Sequence, residues 1–286
     1  MKRLLFIAAL VALALPARAA STIDPANRYA YGANLGWMDW LADTNHGAVI
    51  GEYVCSGYIY AANAGWINLG SGAPTNQIYY QNLSANDFGV NQDGLGNLRG
   101  YAYGANIGWV NFESTGAPKV DLQTGRLTGS IWSANCGWIS LSNSYAVVQT
   151  DTIAPGAMDS NGLPVAWELL NFGHTGVDPN ADPDHDGMSN LEEYLAGTDP
   201  NNAGSRLAIT AFGSTPEGTA ATVMWSSVTS RYYYLQERAS LSPGSPWTDS
   251  GLGLITPDGA TTTRTTANSS APMRYYRVLA VRPLGY

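Results

Sequence analysis

Four segments of the chain are near copies of one another. Tyr-Gly-Ala-Asn-Leu-Gly-Trp ends at Trp37, Tyr-Ala-Ala-Asn-Ala-Gly-Trp at Trp66, Tyr-Gly-Ala-Asn-Ile-Gly-Trp at Trp109, and Trp-Ser-Ala-Asn-Cys-Gly-Trp at Trp138. Trp37 and Trp109 are 72 residues apart, as are Trp66 and Trp138. Residues 21–150 therefore read as a tandem pair of 72-residue units, each with two hairpin modules. In each module Ala-Asn-x-Gly makes a tight turn, since Asn and Gly tolerate left-handed backbone. Short apolar runs flank it, such as Trp109-Val110-Asn111-Phe112 after the third turn. The turns at Gln92-Asp93-Gly94 and Gln123-Thr124-Gly125 add a further strand to the later modules. A single repeat cannot bury its own apolar face. The four recurring tryptophans are therefore expected to stack into one core. Trp40 and Trp132 lie off the Gly-Trp position and are the candidates for an exposed role.

These segments resemble the Gly-Trp-Ile repeats of exported bacterial proteins, a resemblance that implies no activity. Export also fits the first 20 residues. Lys2 and Arg3 precede an apolar run from Leu4 to Leu15, and Ala17-Arg18-Ala19 offers a cleavage site. Residues 1–20 are read as a signal peptide and the mature chain as secreted or cell-surface. No later apolar stretch is long enough to span a membrane. Outside the leader, 11 basic residues face 22 acidic ones, with Lys119 the one lysine. That balance excludes nucleic acid as a partner, because phosphate binding needs a basic face. It favours divalent cations. An exported chain can hold disulfides. Cys55 and Cys136 leave two readings open: a bridge, worth roughly 4–5 kcal/mol in the chain-entropy picture, or two separate buried thiols.

Residues 178–202 are acidic and contain D-x-D-x-D-G-x5-E: Asp182, Asp184, Asp186, Gly187 and Glu193. Short carboxylates at alternate positions converge when the chain curls. Gly187 allows the bend, Met188 offers its carbonyl oxygen, Asn190 a side-chain oxygen, and Glu193 returns from a following helix. Hard oxygen donors in this number select Ca2+. Gly173, Gly176, Pro179 and Pro183 forbid a helix before the loop, while Ser189 with Glu192 makes a capping box and Gly197 ends the helix. This loop-then-helix form, followed by Gly-Thr-Asp-Pro, resembles the thrombospondin type 3 repeat and related bacterial calcium segments over residues 155–205. The resemblance implies that Asp182, Asp184, Asp186, Met188, Asn190 and Glu193 bind calcium. An earlier copy 25 residues upstream aligns Asp159, Asn161, Leu163 and Glu168 with the same pattern. It lacks the first carboxylate, with Ala157 in that place, and allows a second metal with a short ligand count.

Residues 206–286 return to β-branched and aromatic runs separated by Pro-Glu-Gly, Pro-Gly and Pro-Asp-Gly. They suit a small antiparallel sandwich and look like the immunoglobulin or fibronectin III-like modules that follow such calcium segments. The expected fold is thus mainly β: a hairpin-repeat domain, a calcium loop-helix segment and a C-terminal sandwich. No catalytic motif is present, and Asp87, Asp93 and Glu113 are the only loose candidates for a carboxylate pair. The expectation is a non-enzymatic, calcium-binding structural or adhesive protein, with extracellular polysaccharide or surface proteins as partners. The alternatives are a carbohydrate-binding module with exposed Trp and Tyr, and then a glycan hydrolase.

Overall fold

The computed structural model describes residues 21–215, 219–267 and 273–285, so the leader expected at residues 1–20 lies outside the described residues. The repeat region carries twelve short strands: β1 (Ile23–Gly32), β2 (Gly36–Asp39), β3 (Tyr58–Ala61), β4 (Gly65–Asn68), β5 (Val90–Gln92), β6 (Leu98–Gly104), β7 (Gly108–Asn111), β8 (Lys119–Val120), β9 (Leu127–Thr128), β10 (Ser130–Ser133), β11 (Gly137–Ser140) and β12 (Val148–Thr150). Eight of them run antiparallel in the order β1-β2-β3-β4-β6-β7-β10-β11, and β11 returns to β1 through Tyr31↔Ser140 and Gly32↔Ile139. The hairpin array therefore closes into an eight-stranded barrel, which leaves no edge along this path. At the end away from the four turns, β12 pairs with β1, β5 with β6, and β8 with β9.

Closure reverses the expected role of the repeated tryptophans. Trp37, Trp66, Trp109 and Trp138 are 50%, 47%, 45% and 50% exposed. The buried cross-strand pairs are instead Ala30↔Met38, Ile59↔Ile67, Ala102↔Val110 and Ile131↔Ile139. An eight-stranded barrel has room inside only for aliphatic chains set against small ones. An indole does not fit, so it points outward. There it lies opposite another aromatic across the hairpin: Tyr31, Tyr60, Tyr103 or Trp132. Trp40, expected outside, is fully buried, whereas Trp132 is exposed as read.

The turns also work differently from the sequence reading. Gly36, Gly65, Gly108 and Gly137 carry the left-handed backbone, with φ between 69° and 82°. The asparagines do not take positive φ. Each sends its side-chain amide to the carbonyl of the residue before glycine in a neighbouring turn. Asn63 donates to Leu35 (3.1 Å), Asn106 to Ala64 (3.1 Å), Asn135 to Ile107 (3.1 Å) and Asn34 to Cys136 (3.2 Å). The four bonds form a closed ring across the end of the barrel. The residue between Asn and Gly (Leu35, Ala64, Ile107 or Cys136) plugs the interior beneath it.

The two cysteines lie apart, as in the second of the two readings, separate buried thiols. Cys136 fills a turn position that other modules give to Leu, Ala and Ile, and Cys55 lies in the core beside β3; both are free thiols. Each acts as a small apolar side chain. Burial pushes the Cys55 thiol up to about 12, so it stays protonated.

Two helices follow, α1 (Val165–Phe172) and α2 (Asn190–Ala196). Pro164 caps α1, one place before the first helical residue. The remaining strands are β13 (Ile209–Ser214), β14 (Ala220–Ser226), β15 (Tyr232–Arg238), β16 (Thr248–Asp249), β17 (Thr261–Ala267) and β18 (Tyr275–Val281). They form two three-stranded sheets, β13-β14-β17 and β16-β15-β18. Val223 and Trp225 from the first and Tyr233 and Leu235 from the second share one core.

Candidate metal centre

The acidic loop is folded by its own carboxylates. Asp182 accepts from the N–H groups of Asp186 (3.2 Å) and Gly187 (3.0 Å), Asp184 from Asp186 (3.2 Å), and Asp186 from Met188 (2.8 Å). The curl needs a left-handed residue at His185 (φ 62°) and another at Gly187 (φ 96°). One oxygen from each of Asp182, Asp184 and Asp186 then lies within 4.8 Å of the others. Burial pushes Asp182 up, but the surrounding N–H donors outweigh it and hold the carboxyl below its ordinary range.

Helix α2 brings the remaining donors. Ser189 and Glu192 form a capping box and Gly197 closes the helix with φ 75°. Thus Asn190 and Glu193 sit on the first turn, and both are fully buried. Asn190 gives its amide N–H to the Asp178 carbonyl (2.8 Å) and keeps its Oδ1 without a partner. Glu193 accepts from Thr198 (3.3 Å) through Oε1 while Oε2 has none. The buried Asp184 Oδ2 and Asp186 Oδ2 are unpartnered as well. Four buried oxygens without donors belong to residues that the sequence assigns to one cation. Burial, followed by the charges of Asp184 and Asp186, pushes the Glu193 carboxyl up to about 7. A buried acid beside two others is the arrangement that a divalent cation neutralises.

Met188 takes on a second part: its sulfur accepts the N–H of Leu207 (3.3 Å), tying the loop to the chain just before β13. Thr198 and Arg206 were not singled out by sequence. Thr198 holds Glu193, and Arg206 donates to the Asp186 carbonyl (3.2 Å). The Gly-Thr-Asp-Pro stretch after the helix was the available signal for the first. Nothing local marks the second.

The upstream copy is built otherwise. Asn161 Nδ2 donates to Glu168 Oε1 (2.7 Å) and to the Val177 carbonyl (2.8 Å), and Val177 N–H donates to the same Glu168 oxygen (2.8 Å). Asp159 accepts from Gly176 N–H (2.9 Å), and Leu163 N–H donates to Asn161 Oδ1 (2.8 Å). An amide nitrogen therefore faces Glu168 where the downstream copy presents an aspartate. Leu163 is a core residue with Trp167, Val177 and Tyr194.

The carboxylates considered for hydrolysis have local partners or stand in the open. Asp87 takes three bonds from Thr75 and Gln81, and Asp93 holds Leu95 and Asn97. Glu113 is exposed, before a short 3-10 turn.

Helix α2 is joined to both β regions. Arg231, one residue before β15, donates to the Tyr194 (2.7 Å) and Leu195 (2.9 Å) carbonyls at the end of α2. Glu52 of the barrel region accepts from Tyr194 Oη (3.1 Å) and Arg282 (2.9 Å), and lies 3.6 Å from Arg231. Tyr53 packs on the same small core as Trp167 and Tyr194. Comparison with protein-family models, curated proteins and solved structures finds no match to this chain.

Proposed function

We propose that this is an exported calcium-binding structural or adhesive protein in which one cation rigidifies the junction between two β regions. The observation that carries the reading is Glu193. Its fully buried, half-unpartnered carboxylate sits beside Asp184 and Asp186 on the helix that Arg231 and Glu52 clamp. A bound Ca2+ would take Asp182, Asp184, Asp186, Asn190 and Glu193 as oxygen ligands, with the Met188 carbonyl as a sixth. It would remove the repulsion of Asp184 and Asp186 on Glu193. The loop-then-helix likeness to thrombospondin type 3 repeats supports this cation. The two C-terminal sheets with their shared core support a small immunoglobulin-like sandwich as the module beyond it. The upstream copy has a shorter donor set: Asn161 turns a donor toward Glu168 Oε1, while Glu168 Oε2 is buried and unpartnered, and the stoichiometry of the titration below decides whether it takes a second cation.

At ~1 mM calcium and a dissociation constant of ~0.1–1 mM, typical of extracellular modules, the cation adds about 0.4–1.4 kcal/mol. Calorimetric titration is expected to give one site, and Asp186→Ala is expected to abolish both the heat and the rise in Tm. Equal melting temperatures in calcium and in chelator would sink the reading.

A further inference from the structure

The outside of the barrel is lined by aromatic pairs, and one pair differs from the other three. In three modules a tyrosine faces the tryptophan across the hairpin, and the rings lock together. The centroids are 5.3 Å apart for Tyr31–Trp37, 5.0 Å for Tyr60–Trp66 and 4.9 Å for Tyr103–Trp109. In the fourth, Trp132 replaces the tyrosine opposite Trp138. These two indoles have no ring contact among the described residues, and they are 40% and 50% exposed.

A wall stands beside them, as the 82–88 segment stands beside Trp109 in the third module, but here the two indoles it faces are not locked to other rings. The 3-10 turn Ser114–Gly116 follows β7 and presses on the fourth hairpin. A Cβ on Gly116 would lie 1.9 Å from the Ser130 carbonyl oxygen and 3.0 Å from the Trp138 ring. Only glycine permits that approach. The result is a cleft of about 290 Å³ lined by Asn111, Glu113, Thr115, Gly116, Trp132 and Trp138. Asn111, which lines the cleft, uses its Oδ1 to hold Glu113 N–H (2.7 Å) and so keeps its amide NH2 group as a donor. The rim thus offers a carboxylate, an amide and a hydroxyl above two flat apolar faces.

We propose that this cleft is a binding site for a neutral polysaccharide. A pyranose ring has an apolar C–H face that lies on an indole, and hydroxyls at its edge that exchange hydrogen bonds with carboxylate and amide groups. Charge decides against the alternatives of opposite chemistry. No lining residue is basic and the chain carries a net charge of −8, so an anionic polymer is repelled. The site shares no residue with the acidic loop and stands or falls independently of calcium.

The test is a titration of the full chain with hexamers of β-1,4-linked glucose, mannose, xylose and N-acetylglucosamine, read by tryptophan emission and calorimetry. At least one is expected to bind. Trp132→Ala and Trp138→Ala should each weaken it about tenfold or more, as truncation of an anchoring aromatic does, while Trp37→Ala leaves it unchanged. Trp132→Tyr recreates the locked pair of the other modules, so it should fold normally and still lose binding. The proposal is overturned if none of the hexamers binds. It is also overturned if Trp132→Tyr binds as the parent does, or if choline, probing cation–π capture, binds more tightly than every glycan.

Discussion

Glu193 is a carboxylate with no solvent and two like charges beside it, and its pKa near 7 gives the chain a pH signature. An acid whose folded pKa lies above its unfolded value of 4.5 binds its proton more tightly in the folded state. Its contribution is fully present below about pH 4.5 and is lost as pH rises through 7. In chelator, the midpoint of urea unfolding should therefore fall between pH 5 and pH 7.5, and Glu193→Gln should flatten that fall. The same variant should lose calcium binding. A midpoint in chelator that rises over this range, in parent and variant alike, would contradict the assignment. The acidic loop is legible in sequence because its geometry is local: carboxylate spacing, capping box and Gly187 all lie within a dozen residues. Glu52 was not legible. Its partners are Tyr194, Arg231 and Arg282, and only the assembled fold brings them near.

At the scale of the hairpin, periodicity told where the turns and strands fall but not which side faces in. The expectation of a tryptophan core rests on the rule that a single repeat cannot bury its own apolar face, which does not say which face that is. The missed signal was the small residue alternating with them, as in Tyr29-Ala30-Tyr31-Gly32 and Tyr101-Ala102-Tyr103-Gly104, which suits the narrow interior of a closed barrel. The inversion is measurable. Ile67→Ala, at a fully buried position, should cost about 2–5 kcal/mol. Trp66→Ala, on the outer face, should cost about 0.5–1.5 kcal/mol from its lost ring contacts. Chemical denaturation of the two variants ranks them, and the opposite order would restore the aromatic-core reading. The turn asparagines give a second ranking. Asn63→Ala should cost about 0.5–1.5 kcal/mol, the usual worth of one hydrogen bond. Equivalent changes at Asn34, Asn106 and Asn135 should cost similar amounts.

Across the whole molecule, the barrel, the helical segment and the C-terminal sheets meet at one charged knot. Arg231 is mostly buried; burial lowers its pKa and the charge of Glu52 raises it. Removing the carboxylate leaves two guanidinium groups facing each other. Glu52→Ala should therefore cost about 3–5 kcal/mol, as loss of one partner from a buried pair does. Calorimetry should show the unfolding of the C-terminal sheets separating from that of the barrel, whereas Glu113→Ala, on the open surface, should leave a single transition intact. The ring of asparagine bonds at the barrel's end has its own bearing on how such a chain can evolve. A row of stacked repeats can gain or lose a member, because its two ends are free. Here Asn34 reaches back to the last turn, so the sequence has no terminal copy to extend or trim. Deleting or inserting one module removes or adds two neighbouring strands at once, so the circle must re-close at another strand number and diameter rather than simply grow or shrink at an end.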